Sequence, residues 1–408
     1  MPDKTLILLT DSFPFGSKET FLESEMVFLA SRFSSIHIFP LHGTESCRPQ
    51  ASHVTVHEPF LSFHAKDQRK LLAAGLFNRS PIAFICREFL LKSVYKHPKQ
   101  IRVWLAALLV FRAAFANKER LSELSSLLHE KSIVYSYWGD KLAVLIPFLR
   151  KTTPSFTSIV RFHRTDLYEE FKHGYIPFRS VLFPSIDHFV FISEDGKRYL
   201  TRKYLQWVYN QHLFRLGVPD QGVNPQGTTD MLHLVSCSYM VPVKRIPLLI
   251  EALMRLDILV KWTHIGSGSQ WKEINRLIKE LPRNVEAELK GGLTNSEVIN
   301  YYKQTPIDLF INVSESEGVP VSIMEALSFG IPVVATDAGG TGEIVDNAVG
   351  CLLPVATNAP DIASAIKNFY MLTDKEALRQ NARKRWLERC DAEQNYTAFA
   401  EFLQNLTD

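Results

Sequence analysis

Two glutamates with seven residues between them, Glu317 and Glu325, enclose the step Gly318-Val319-Pro320 in the stretch "SESEGVPVSIMEALSFGIPVVAT". The run "DLFINV" just before it reads as a strand. Pro320 fits at or near the start of a helix, where its missing N–H is no loss, and Gly330 is a normal helix terminator. Glu317 is therefore expected on the loop ahead of the helix, and Glu325 about a turn and a half inside it. Between them the N–H groups of residues 318 to 322 would point out of the helix end unpaired, which suits an anion such as a pyrophosphate. With a carboxylate on either side to accept hydrogen bonds from hydroxyls of a sugar and a ribose, this makes a three-part clamp. For an isolated Glu-x7-Glu the plainer reading is a helix-dipole partner and a solvated side chain. The surrounding sequence reverses that preference.

The elements that must position these carboxylates alternate between short apolar, β-branched runs and amphipathic segments, the pattern of a parallel sheet with helices on both faces. The pattern occurs twice. Strands are predicted at 5–10, 35–39, 132–137, 158–162 and 188–192, and again at 231–237, 259–265, 285–290, 308–313 and 332–336. Between the sets lies "GVPDQGVNPQGTTD" (217–230), polar and rich in Gly and Pro, a linker composition. The chain of 408 residues is longer than one core usually supports. The reading is α/β with two tandem Rossmann-like domains, 1–216 and 217–390, their parallel sheets facing a central cleft. Open sheets of this kind bind ligands outside their carboxyl ends.

Composition narrows the function. The net charge of +3 is too small to argue for nucleic acid. Charge is uneven, however: residues 64–120 hold twelve Lys or Arg against Asp67, Glu88 and Glu119. The five cysteines (Cys47, Cys86, Cys237, Cys351, Cys390) are far apart and lack metal-type spacing, which suits reduced thiols in the cytoplasm. The opening "MPDKTLILLTDSFPF" has too short an apolar run for a signal peptide. "VWLAALLVF" (103–111), the longest apolar stretch, is about half a membrane span.

"SESEGVPVSIMEALSFGIPVVATDAGGTGEIV" closely resembles the signature of the retaining glycosyltransferases of family 4, which have the GT-B fold. "HLVSCSYMVPVKRIPLLIEAL" (233–253) resembles the first strand, phosphate loop and helix of the family's donor domain. "HIGSGSQWKEI" (264–274) resembles the next strand with its glycine turn, and "GGLTNSEVINYYKQTPIDLFIN" (291–312) the approach to the signature. In the first half, "DSFPFGSKETFLESEM" (11–26) is similar to the loop after the first strand and "RFHRTDL" (161–167) to the His-Gly-x-Asp segment. The likeness is strong after 231 and weak over 43–130.

The resemblance implies roles for particular residues. Glu317 would meet hydroxyls of the donor sugar, Glu325 the ribose, and Lys244 the diphosphate, where it would stabilise charge developing as the nucleotide leaves. Gly318, Val319, Pro320 and Gly266 would line the donor site. His163 would approach the transferred sugar, Asp166 would hold that segment, and Gly16 would let the first loop approach donor or acceptor. No covalent nucleophile and no divalent metal are implied, and the chain has no Asp-x-Asp pair. Two departures stand out. The family's arginine five residues before the lysine is Tyr239 here, with Arg245 the candidate replacement. The glycine after the histidine is Arg164, which either crowds the sugar site or contacts an anionic substrate.

Other motifs carry less. "GSGSQW" lacks the third glycine of a dinucleotide fingerprint, and "FGSKET" lacks the glycine five residues before Lys18 that a phosphate loop needs. Ser17 reads as a helix N-cap, with Glu19 and Glu23 early in the helix. His163 and His173 lack a third ligand for zinc. The basic segment reads either as surface helices or as an anionic-membrane dock in which Phe77, Phe84, Phe89, Trp104 and Phe111 interleave with cations. The tail (382–406) reads as a helix broken near Asp391, with 391–408 completing the first domain as part of a hinge. The expectation is a metal-independent hexosyltransferase. It would carry sugar from a nucleotide-diphosphate sugar to a glycan or lipid-linked glycan of a surface polysaccharide, in the cytoplasm or peripherally on the inner face of the plasma membrane. A nucleotide-sugar-binding protein that has lost catalysis, or a sugar-nucleotide epimerase of the same fold, is the alternative.

Overall fold

The structure, a computed structural model, describes residues 4–16, 19–44, 46–61, 88–90, 92–153, 155–227 and 230–406. Ser17, Lys18, Phe77, Phe84 and Cys86, singled out in the sequence, lie outside the described residues. The chain forms two units, Met1–Phe214 with Tyr396–Asp408, and Arg215–Asn395.

The first unit is built on seven parallel strands: β1 Thr5–Thr10, β2 Ser35–Pro40, β3 Val54–Val56, β4 Ser132–Ser136, β5 Thr157–Phe162, β6 His188–Phe191 and β7 Gln211–Leu213, in the order β3-β2-β1-β4-β5-β6-β7. The apolar run of β1 is buried on both sides. Leu6 and Leu8 pack with Leu22, Met26 and Leu29 of the helix Thr20–Arg32 and with Phe399 and Leu403 of the helix Ala392–Asn405. Ile7 and Leu9, pointing the other way by the two-residue period of a strand, join Phe111, Val134 and Val160. The second unit has six parallel strands: β8 Leu232–Cys237, β9 Val260–Ile265, β10 Val285–Gly291, β11 Leu309–Asn312, β12 Val333–Thr336 and β13 Gly350–Leu353, in the order β10-β9-β8-β11-β12-β13. Leu232 and Leu234 pack with Leu249 and Ile250 of the helix Ile246–Leu253 and Ile362 and Ile366 of the helix Ala359–Met371.

Every predicted strand forms, and three more appear. β3, β7 and β13 are only three or four residues long and contribute few apolar side chains. Two of them, β3 and β7, are outermost in their sheet, as is β13 in the other. The helix break near Asp391 is present, because Lys375–Arg389 ends before Ala392–Asn405 begins. Asn395 nevertheless remains with the second unit, donating from Nδ2 to Leu216 O and Arg389 O at 3.0 Å each. Arg215 also belongs there, paired with Glu343 at 2.7 Å.

Of the aromatic residues assigned to a membrane dock, Phe89, Trp104 and Phe111 are packed inside the first unit. Trp104 and Phe111 on the helix Pro98–Ala116 are buried, and the ring of Phe89 lies 4.6 Å from that of Trp104. Among the described residues no single helix is long and apolar enough to cross a membrane. The four described cysteines are free thiols.

Glu25 and Arg161 form an ion pair with no accessible surface on either side chain. Tyr135 Oη donates to the same carboxylate at 3.0 Å, and the Arg161 guanidinium lies 4.1 Å from the Phe399 ring, holding the C-terminal helix to the sheet. Removing one member leaves a charge buried alone. Glu25→Ala is expected to destabilise the first unit by about 3–5 kcal/mol. The paired replacement Glu25→Leu with Arg161→Met should cost far less. Urea midpoints followed by Trp138 fluorescence read both, and a loss below about 1 kcal/mol for the single variant would sink the assignment.

Candidate functional site

In the second sheet β8 lies between β9 and β11, so strand order reverses there and the loops after β8 and β11 diverge to leave a crevice. Lys244 and Arg245 sit on the loop after β8, and Glu317, Gly318, Val319 and Pro320 on the loop after β11, while Gly266 follows β9 and Glu325 lies within the helix Val321–Ser328. Lys244 Nζ forms an ion pair with Glu317 Oε1, with only 16% and 8% of the side chains accessible. Asn312 Nδ2 donates to the same oxygen at 3.3 Å, and Glu315 N–H donates to Val243 O at 2.8 Å, stitching the loops together. A cation and a carboxylate thus meet across the switch point.

Arg245 has a different task from the one expected of it. Its Nε donates to Val313 O at 2.6 Å, Nη1 to Val355 O at 2.6 Å and Nη2 to Ser314 O at 3.2 Å. It clasps the loop after β11 instead of standing as a second cation beside Lys244. Tyr239, at the position of the absent arginine, is 75% exposed.

The helix after Glu317 runs Val321–Ser328 with Pro320 as its N-cap, one residue earlier than a first-turn proline. Ile323 N–H and Met324 N–H both reach Pro320 O, while among the described residues the N–H groups of Gly318, Val319, Val321 and Ser322 have no partner. Val319 is itself buried. The backbone beneath is held close: Gly340 N–H donates to Gly318 O at 2.7 Å, and at Gly339 (φ +58°) a Cβ would lie 2.1 Å from Glu317 O. Glu325 is buried, and burial pushes its carboxyl up to about 7, opposed by the hydrogen bond from Asn295 Nδ2 at 2.6 Å. Cys237, at the end of β8, feels both Glu325 and Lys244. Gly266 (φ +143°) serves packing, since a Cβ there would lie 1.8 Å from Ser238 O. Asn312, Asn295 and Cys237 were missed in the sequence because single polar residues at strand and helix ends carry no spacing signal.

In the first sheet β1 lies between β2 and β4, and order reverses there too. The loop after β1 is held by Glu19, which sits just before the helix at φ +54°. Its carboxylate accepts from the N–H groups of Asp11, Ser12 and Phe13 at 3.1, 2.7 and 2.6 Å and from Trp138 Nε1 at 2.6 Å. Glu19 is thus a loop anchor, which the sequence reading had as a dipole partner. Gly16 (φ +65°) donates to Ser46 O at 3.0 Å.

His163 follows β5, its ring 4.6 Å from that of Tyr137 and 4.5 Å from that of Trp138. Burial, reinforced by the Arg161 charge, holds the imidazole well below its usual range, so it is neutral. Among the described residues neither ring nitrogen has a hydrogen-bond partner. Asp166 holds the segment as expected, accepting from His163 N–H at 2.8 Å and Gly139 N–H at 2.5 Å; burial and the Asp140 charge push its carboxyl up to about 8. The Arg164 guanidinium lies 4.2 Å from the Phe171 ring.

Two Rossmann-like domains of the GT-B type are therefore the class that fold and switch-point residues define. Residues 228–385 match the family model described as glycosyl transferases group 1. Among curated relatives, the UDP-N-acetylglucosamine–peptide N-acetylglucosaminyltransferase GtfA subunit of Streptococcus gordonii is 26% identical over 181 residues, 42% of this chain and 35% of that protein. The putative colanic acid biosynthesis glycosyltransferase WcaL of Escherichia coli K12 is 27% identical over 36% of this chain and 37% of its own. The chain spans about a third of the length of these relatives. Among solved structures, Anabaena HepE in complex with UDP and glucose aligns over 99% of this chain and 100% of its own at a TM-score of 0.63 and 17% identity. The lipopolysaccharide outer core galactosyltransferase WaaB aligns over 98% and 99% at a TM-score of 0.66 and 15% identity.

Because three backbone carbonyls depend on Arg245, Arg245→Ala is expected to lower the stability of the second unit by about 2–4 kcal/mol. Arg245→Lys should not restore it, since an ammonium cannot span the fork. A Lys variant as stable as the parent in urea melts would refute the clasp.

Proposed function

We propose that the protein is a retaining glycosyltransferase of the family-4 type that transfers a sugar from a nucleotide-diphosphate sugar to a hydroxyl of a glycan or lipid-linked glycan in surface-polysaccharide biosynthesis. The observation that carries this reading is the Lys244–Glu317 pair beside the N–H groups of Gly318, Val319, Val321 and Ser322, unpartnered among the described residues, at the switch point of the second sheet. The group 1 match over 228–385 supports it, as do relatives named for colanic acid and O-antigen synthesis.

In this reading the diphosphate lies against the helix N-terminus and Lys244, and Glu317 exchanges its ion pair for hydroxyls of the donor sugar. Glu325 accepts from the ribose. The bond between the anomeric carbon and the phosphate oxygen breaks with both electrons passing to the diphosphate, whose added charge Lys244 and the N–H groups stabilise. The acceptor oxygen bonds to the anomeric carbon on the face just vacated and its proton passes to the departing phosphate. No metal is needed, because Lys244 supplies the positive charge. His163, neutral and unpartnered, gives a hydrogen bond to the transferred sugar. The enzyme works in the cytoplasm, peripherally on the inner face of the plasma membrane.

A second reading, a nucleotide-sugar-binding protein without catalysis, is favoured by one observation: Tyr239 stands in the arginine position, and the guanidinium of Arg245 is spent on three carbonyls. Incubating the protein in EDTA with a panel of nucleotide sugars and measuring released nucleotide diphosphate separates the readings. Turnover of one donor is expected, with Lys244→Ala and Glu317→Gln each reducing it by roughly 100- to 1,000-fold. Binding of a donor without turnover, with or without acceptor glycans, would favour the second reading. The anomeric configuration of the product, read by NMR, tests retention.

The raised carboxyl of Glu325 adds a pH dependence. Its folded value of about 7 exceeds its ordinary value, so it is largely protonated at pH 6 and ionised at pH 8, and only the ionised form accepts both ribose hydroxyls. Nucleotide affinity should therefore rise from pH 6 to pH 8, and Glu325→Gln should abolish the rise. A parent profile as flat as that of the variant in calorimetry would remove Glu325 from the ribose.

A further inference from the structure

The first unit holds a cavity of about 410 Å3 that none of the predicted site residues lines. It opens at the carboxyl edge of the sheet, between the residues after β2 (Leu41, His42) and those after β4 (Asp140, Lys141), and so flanks the β1/β4 switch point. Its far wall is one face of the helix Pro98–Ala116, where Val103, Ala106, Ala107 and Val110 present small apolar side chains. The inner wall is apolar as well, made by Leu41, Phe111, Val144, Ile176 and Phe178, all buried.

The cations and His42 lie on the solvent side, whereas Asp140 Oδ1 is buried and has no hydrogen-bond partner among the described residues. Arg102 is exposed, Lys172 is half-buried, and the Lys141 and His42 side chains are 35% and 43% accessible. The charges do not cancel. Lys141 pairs with Asp11 at 2.8 Å, and Asp140 lies within the fields of Lys141 and Lys172. Set against Asp11 and Asp140, the cations Arg102, Lys141 and Lys172 leave one positive charge over. Arg102 has no ion pair among the described residues.

A cavity with apolar walls, a volume in the small-molecule range and one uncompensated cation at its mouth is matched to a ligand with an apolar body and one acidic group. We propose that this cavity binds the hydrocarbon chain of an acidic amphiphile, the chain lying on the Val103–Val110 face of the helix and the acidic group held at Arg102 and Lys172. Calling that amphiphile the acceptor rests on the transferase reading; the binding itself does not. Arg102, part of the cationic segment that the sequence suggested for a membrane surface, would then act on single amphiphiles through this pocket.

The test uses the full-length protein and calorimetry with dodecanoate, its decanoate and octanoate homologues, dodecanol and inorganic phosphate, all below their micelle concentrations. Dodecanoate should bind, each methylene pair removed should weaken binding by about tenfold or more, and inorganic phosphate alone should not bind. Dodecanol should bind at least about fivefold more weakly, a difference that Arg102→Gln removes. Ala107→Trp, which fills the cavity, should reduce dodecanoate binding by at least tenfold, with Val110→Trp as the second filling variant should the first fail to fold. UDP binding is measured in parallel on every sample. Dodecanoate binding unchanged by either folded Trp variant overturns the site, and equal binding of dodecanol by the parent overturns the acidic group. Binding of UDP without any amphiphile would end this inference and leave the transferase reading standing. The converse result would keep the pocket and remove the transferase reading.

Discussion

Parallel pairing makes every strand of a sheet end on the same edge, and the chemistry of both units depends on that constraint. A chain that adds strands first to one side of β8 and then to the other must send two loops apart at the reversal. Lys244 on one loop and Glu317 on the other can then meet across the gap although 72 residues separate them. The same reversal beside β1 places the Glu19-anchored loop next to the loop after β4. In each unit the central strands are buried on both faces, so their apolar runs set the frame and leave the polar residues at the strand ends.

Electrostatics inside this frame follows one rule: a charge taken out of water needs a partner. Glu25 has Arg161, Glu317 has Lys244, and Arg245 has three carbonyls. The groups that break the rule are informative. Among the described residues Glu325 has a single amide donor, and burial raises it to about 7, while His163 is buried neutral with neither ring nitrogen partnered. Those are groups whose hydrogen-bonding capacity the described residues leave unused.

The neighbours of each loop were harder to read than the loop itself. The stretch from Asp308 to Thr336 announces its strand, loop, helix and strand through an apolar run, a Gly-Val-Pro step and a terminating glycine, and all of these form. Arg245 shows the opposite case. Beside Lys244 in the chain it looked like a second phosphate cation, but its φ of +51° turns the side chain toward the carbonyls of a loop 68 residues away. Glu19 likewise looked like a dipole partner and instead folds back on residues 11–13 and Trp138.

Periodicity along the chain determined ten of the strands, the two-domain division and the motif that marks the crevice, because burial on both faces of a sheet imposes a pattern on consecutive residues. The edge strands β3 and β7 are too short to carry that pattern, and β13, as long as β6, β11 and β12, is only half-buried, so the pattern is not imposed on it. The apolar cavity of the first unit is assembled from four separate stretches between Leu41 and Phe178, and no local spacing links them. Tertiary structure alone decided which polar side chains meet, since a hydrogen bond or ion pair between distant residues leaves no trace in the order of either segment.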